Sequence, residues 1–93
     1  MRAARVDANQ PDIVKALRAI GARVKPTHQV GDGFPDLVVG YRERTVLLEV
    51  KMPGEGLNPE QAKFFAEWTG GDLHIARSPE EAVQIIVGKE AMA

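Results

Sequence analysis

The sequence predicts an α/β sandwich with strands of mixed direction and elements in the order αβββαβα. Three observations carry this expectation. Apolar residues recur at helical spacing in residues 10–21 and again after Asn58. Aliphatic residues crowd DLVVGY and RTVLLEVK on either side of a short polar turn, the pattern of a hairpin. A third apolar stretch, 72–77, runs straight into a helix-start signal.

Each element has a local reason. In QPDIVKALRAIG, Ile13, Leu17 and Ile20 share a face, Lys15 and Arg18 lie between them, and Gly21 is placed to end the helix. ARVKPTH, 22–28, alternates weakly and reads as a short strand, with Pro26 marking an edge or a break. GDGFP, 31–35, is a loop. DLVVGY and RTVLLEVK pair around Arg42-Glu43, and MPGEGL forms the next loop. Asn58 and Pro59 open a helix expected to continue to Thr69, with Gly70-Gly71 as its stop. DLHIAR is the last strand. Ser78, Pro79 and Glu81 form a capping box for a final helix that covers the sheet and ends with AVQIIVG. Residues 89–93 are expected to fray.

The totals narrow the function classes. With 93 residues the chain is expected to form one small domain spanning 1–93. Hydrophobic residues make up 44% and charged residues 27%, the composition of an ordinary water-soluble domain. No apolar run approaches the roughly 18 residues that span a membrane. MRAARVDANQ starts basic but has no apolar stretch behind it, so it does not read as a secretory signal. The absence of cysteine excludes disulfides, thiolate zinc sites and cysteine nucleophiles, and fits a reducing interior. A net charge of -1 argues against a general nucleic-acid glue, so any DNA contact needs a local basic patch or a metal ion.

The chemistry concentrates at one end of the hairpin. Alternation puts Val46, Leu48 and Val50 on one face of their strand and Thr45, Leu47, Glu49 and Lys51 on the other. If the turn is centred on Arg42-Glu43, paired residue numbers sum to 85, and Asp36 falls opposite Glu49. Opposed residues have Cβ atoms about 4.5–5.5 Å apart, where two carboxylates repel unless something positive lies between them. A divalent cation meets that need, since Mg²⁺ takes one or two carboxylates together with waters and phosphate oxygens. Lys51 adds a positive charge on the same side. The bland alternative is a solvated Glu-Lys strand end and an ordinary turn aspartate after a proline. Three such residues on one face favour a site.

Pro35-Asp36, a strand, then Glu49-Val50-Lys51 resembles the PD-(D/E)xK nuclease signature. The wider pattern resembles the VRR-NUC family of that superfamily, in its small stand-alone phage and bacterial form. The resemblance runs through Asn9-Gln10, Ile13-Val14, Leu17-Arg18, Gly21, Gly31 to Gly33, Pro35 to Leu37, Val39-Gly40, Leu47 to Lys51, Leu57, Pro59 and Gln61, nearly the whole chain. The short PD…ExK pattern is weak alone; its combination with the flanking segments is specific. The resemblance implies a restriction-endonuclease-like αβββαβ core, a central mixed sheet flanked by helices, with one further C-terminal helix. It implies a metal-dependent phosphodiesterase acting on DNA, with branched forms such as four-way junctions as substrate, inside a bacterial or phage-infected cell. Asp36 and Glu49, with the main-chain carbonyl of Val50, would hold Mg²⁺ or Mn²⁺. Lys51 would hold the attacking water and offset charge developing on the phosphorane.

Other positions carry two readings each. Gln61 shares a helix face with Phe65 and Trp68; it is either an active-site residue, as the resemblance implies, or the partner of an Asn58 cap. Gln10 stands where related nucleases often place a metal-binding Glu, and Asp7 or Asp12 could substitute; the plain reading of both aspartates is charge complementarity at a helix start. His28, before the GDG loop, is within reach of a phosphate, while His74 reads as structural. Asp32 is either turn chemistry or a neighbour of the metal. Gly31 and Gly33, like Gly54 and Gly56, allow backbone to approach a phosphate strand. Lys25, Arg42, Arg44 and Lys63 are candidate phosphate contacts or ordinary solvated charges. Phe64, Phe65 and Trp68 read as core, with a homodimer interface as the alternative that small junction-cutting relatives suggest. The competing functions are a catalytically silent DNA-binding or assembly module, and a protein whose acidic cluster is purely structural.

Overall fold

A hairpin organises the structure. In the computed structural model, which describes residues 6–88, β2 (Leu37–Tyr41) and β3 (Arg44–Val50) meet around Arg42-Glu43. Both turn residues have positive φ, 47° and 68°, the two-residue turn whose twist matches that of paired strands. The register runs from Tyr41 opposite Arg44 to Leu37 opposite Leu48, the expected sum of 85 throughout. β1 (Arg23–Pro26) adds antiparallel to β2, so Pro26 sits on an edge strand where its missing N–H costs no ladder bond. β4 (Leu73–Ala76) lies parallel to β3, which requires a crossover. That crossover contains α2 (Pro59–Glu67). The sheet order is β1-β2-β3-β4, the described residues form three helices, and the element order is the expected αβββαβα.

α1 (Gln10–Ala19) and α3 (Pro79–Val87) pack together on one face of the sheet. The core there joins Ile13 and Leu17 of α1, Leu37 and Val39 of β2, Val46, Leu48 and Val50 of β3, and Ala82 and Ile86 of α3. Burying aliphatic side chains on this face, at about 25 cal/mol per Å², is the main drive for the fold. α1 ends in a Schellman motif. Gly21, at φ +93°, gives its N–H to Arg18 O at 3.0 Å, and Ala22 N reaches Leu17 O at 3.1 Å.

α3 starts with a modified capping box. Ser78 Oγ accepts from Glu81 N at 3.0 Å as expected, but Glu81 Oε1 accepts from Arg77 N at 2.6 Å rather than from the cap residue. α2 stops at Glu67 instead of continuing to Thr69. Trp68 leaves the helix at ψ 127° and its indole folds onto the Gly70-Gly71 turn, where Nε1 donates to Gly71 O at 2.7 Å. α2 also contributes no buried residue, so Phe64, Phe65 and Trp68 do not belong to the core. Phe64 instead stacks on Trp68 and meets Phe34 edge to face, leaving Trp68 38 % exposed. The expected fraying of residues 89–93 lies outside the described residues. No helix among the described residues is long and apolar enough to cross a membrane.

Glu43 sits at φ 68° without the freedom of glycine. Glu43→Gly should raise the unfolding free energy by about 1 kcal/mol and the thermal midpoint by about 4–8 °C, read by calorimetry or circular dichroism.

Candidate metal centre

The open end of the hairpin gathers the polar residues. Leu47 N and Lys51 N donate towards β4, to Asp72 O at 2.8 Å and Ala76 O at 3.1 Å. By alternation, Val50 N points the other way, past the end of the β2–β3 ladder. Its ladder partner would be Pro35, whose carbonyl is already taken by Thr27 Oγ1 at 2.8 Å. The Asp36 carboxylate fills the gap, and Oδ2 accepts from Val50 N at 2.8 Å. Asp36 therefore lies just outside β2, held over the end of β3 by this bond and by Thr27 N donating to its carbonyl at 2.7 Å. A strand residue directs N–H and C=O to the same neighbour, so the Val50 carbonyl is aimed at the Asp36 side.

Glu49 is buried to 1 % exposure. Its Oε2 accepts from Gln61 Nε2 at 3.0 Å, and its Oε1 is buried without a hydrogen-bond partner among the described residues. Burial, then contact with the Asp36 carboxyl and its charge, push the Glu49 pKa up to about 9; Asp7 adds to the rise and Lys51 opposes it. Glu49 therefore keeps a proton at neutral pH when no cation stands beside it.

Gln61 caps α2 and also reaches Glu49. Its Oε1 accepts from Asn58 N at 2.9 Å while Asn58 Oδ1 accepts from Gln61 N at 2.8 Å, a complete capping box. Its Nε2 donates to Glu49. One side chain thus caps α2 and orients the buried carboxyl.

Around this pair lies a cleft of about 360 Å³. Asp7, Asp32, Asp36, Glu49 and Glu60 line it, and among the described residues Lys51 is the single Lys or Arg in the lining. No three His, Asp or Glu side chains among the described residues stand together as a complete ligand set. A hard divalent cation does not need one, since waters and phosphate oxygens fill the rest of its sphere. The residues present fit such an ion. Two carboxyls converge, one carries an orphaned buried oxygen, and the surrounding charge is negative.

Sequence reasoning did not assign a role to Asn9. It occupies the cap position of α1 yet makes no side-chain cap bond. Its Nδ2 instead donates to Lys51 O at 3.1 Å and Arg77 O at 3.0 Å, tying α1 to the ends of β3 and β4. The loop after Lys51 is pinned as well. Glu55 Oε1 accepts from Met52 N at 2.8 Å, and Arg77 Nη2 donates to Glu55 O at 2.7 Å. The only advance signal for Asn9 was its place before Gln10, Pro11 and the helix, which points to capping and not to a tie between strands.

The other candidates divide. Asp7 and Asp32 line the cleft; Gln10, only 4 % exposed and with Oε1 unpartnered among the described residues, lines a neighbouring groove along α1, and His28 lines both. Gly31 and Gly33 also line the cleft, at φ +86° and +78°. Gly33 has a structural duty there. A Cβ at Gly33 would collide with the Glu60 carbonyl and come within 3.0 Å of Gln61 N, so the close approach is to the first turn of α2. Lys25 and Lys63 are exposed and do not line the cleft. Arg42 and Arg44 lie at the opposite end of β3 from Glu49. The five residue steps from Arg44 to Glu49 span roughly 17 Å at strand rise. Arg44 is also engaged. It donates to Ile86 O at 2.7 Å and pairs with Asp72 at 3.1 Å, holding that carboxyl below its usual pKa, while Arg42 lies 5.5 Å over the Tyr41 ring. His74 stands 3.6 Å from Asp72 in the same outlying cluster.

Two outcomes test this geometry. Glu49 binds its proton more tightly in the folded chain, so between about pH 4.5 and 9 the unfolded state holds fewer protons and stability falls as pH rises. Glu49→Gln should remove that slope and raise the urea midpoint near the upper end of the window; a flat wild-type profile would sink the assignment. Gly33→Ala should destabilise by more than about 1 kcal/mol and detach Gln61 from Glu49, visible as a loss of the same pH slope.

Comparison with protein-family models, with curated proteins and with solved structures gives no match for this chain.

Proposed function

We propose that this chain is a metal-dependent DNA endonuclease of VRR-NUC type, built on a restriction-endonuclease-like core. The observation that carries the reading is the convergence of Asp36 with the buried Glu49 at the end of β3, inside an acidic cleft that also holds Lys51. Asp36, Glu49 and the Val50 carbonyl would hold Mg²⁺ or Mn²⁺. Such an ion, when bound, neutralises phosphodiester charge and makes water a nucleophile near neutral pH. The chain's own residues do the rest. Gln61 orients Glu49 through its amide, and Lys51 brings an ammonium group to orient water and offset charge on the attacked phosphate. Asn9 holds the Lys51 backbone in place.

The substrate class in this reading is branched DNA such as a four-way junction, cut by a homodimer in a bacterial or phage-infected cell. The short reach of a small domain along a duplex supports two copies on one junction. The aromatic face of α2, with Trp68 exposed, offers surface for the contact. A second reading, a silent DNA-binding or assembly module, draws on the neutral Gln10 and on the proton that Glu49 keeps at neutral pH.

Incubation with junction, flap, single-stranded and plain duplex DNA separates the readings. With Mn²⁺ the wild type should cut, with a preference for the junction, and EDTA should stop it. Glu49→Gln and Lys51→Ala should each lower the rate by about 10²–10³-fold with the fold intact. Junction binding without product in Mg²⁺ or Mn²⁺ would establish the silent module instead.

A further inference from the structure

The acidic cleft does not end at His28. The same residue lines a second groove, of about 470 Å³, that runs along α1 beside Gln10, Val14, Lys15, Arg18 and Pro26. The two differ in sign. Five carboxylates line the cleft, whereas among the described residues none lines the groove, and Lys15 and Arg18 do. In a chain of net charge -1 this separation is informative. A nucleic-acid strand is repelled by the cleft except where a cation bridges it, and is attracted to a neighbouring basic track.

We propose that the groove along α1 carries the backbone of the cleaved strand on one side of the cut, with His28 at the junction between cleft and track. This rests on the nuclease reading and adds a strand path to it. Lys15 and Arg18 are three residues apart on α1, so they share a face with Cβ atoms about 5–6 Å apart. Neither forms an ion pair among the described residues. Arg18 Nη2 donates to Val24 O at 3.2 Å, which fixes the guanidinium at the groove and leaves its other N–H groups for phosphate oxygens. Val14 and Pro26 give the track an apolar floor for sugar and base faces. His28 adds a polar group where the protein makes no use of it. Its Nδ1 is shielded from water and has no partner among the described residues, an arrangement that structural histidines avoid.

The test measures binding of a fluorescein-labelled four-way junction by anisotropy across a salt series, with the Lys15→Ala/Arg18→Ala double variant beside the wild type. Calorimetric Mn²⁺ titration of both proteins reports on the cleft. The double variant should bind more weakly, with a salt slope shallower by about two, while Mn²⁺ uptake stays unchanged. His28→Ala should weaken binding and His28→Gln, which retains an N–H donor, should restore part of it. A wild-type salt slope in the double variant, with binding and Mn²⁺ uptake intact, overturns the strand path and leaves the nuclease reading standing. A wild type that takes up Mn²⁺ but binds no DNA overturns both.

Discussion

A carboxyl group buried beside a second carboxyl is the constraint around which this structure is arranged. Glu49 is almost fully enclosed at the end of β3, and Asp36 is fastened beside it through the Val50 amide. Burial disfavours the charged form, and a neighbouring negative charge disfavours it further. The pair is tolerated only with a proton or a cation between its members. The Gln61 amide supplies one hydrogen bond and no charge, so the remaining demand stays open at Oε1. Here Lys51 lowers the pKa without overcoming burial.

The surrounding elements hold this arrangement in place. The tight turn at Arg42-Glu43 sets the register that brings Asp36 level with the end of β3. Asn9 ties α1 to the same strand end, where a cap bond would have tied it only to itself. α2 is poorly buried, yet its first turn is held by the Asn58–Gln61 capping box and by close packing on Gly33. The helix therefore serves as a strap over Glu49 more than as a part of the core. Its aromatic residues are left at the surface because the crossover carries them away from the apolar face that α1 and α3 already fill.

Charge is distributed with the same economy. Among the described residues five carboxylates border one cleft and two cations border the groove next to it, so a chain of near-neutral total presents two opposite fields side by side. Net charge alone hides such a pattern. Arg44 shows the converse, since its guanidinium is engaged by Asp72 and the Ile86 carbonyl.

Periodicity by itself determined the element order, the hairpin and the face that Val46, Leu48 and Val50 bury, because these follow from local spacing and from turn chemistry. The same arithmetic put Asp36 against Glu49, since a two-residue turn leaves only one register for the hairpin. Tertiary structure decided what depends on groups distant in sequence. Asn9 reaches 42 residues to Lys51 and 68 to Arg77, and no local rule encodes such a bond. Gln61 needed the fold to show that capping and orienting Glu49 are one geometry, not two alternatives. The early end of α2, the engagement of Arg44 and the basic track beside His28 likewise emerge only when the chain closes on itself. Spacing along a strand or helix sets which way a side chain points; only packing sets what it meets there.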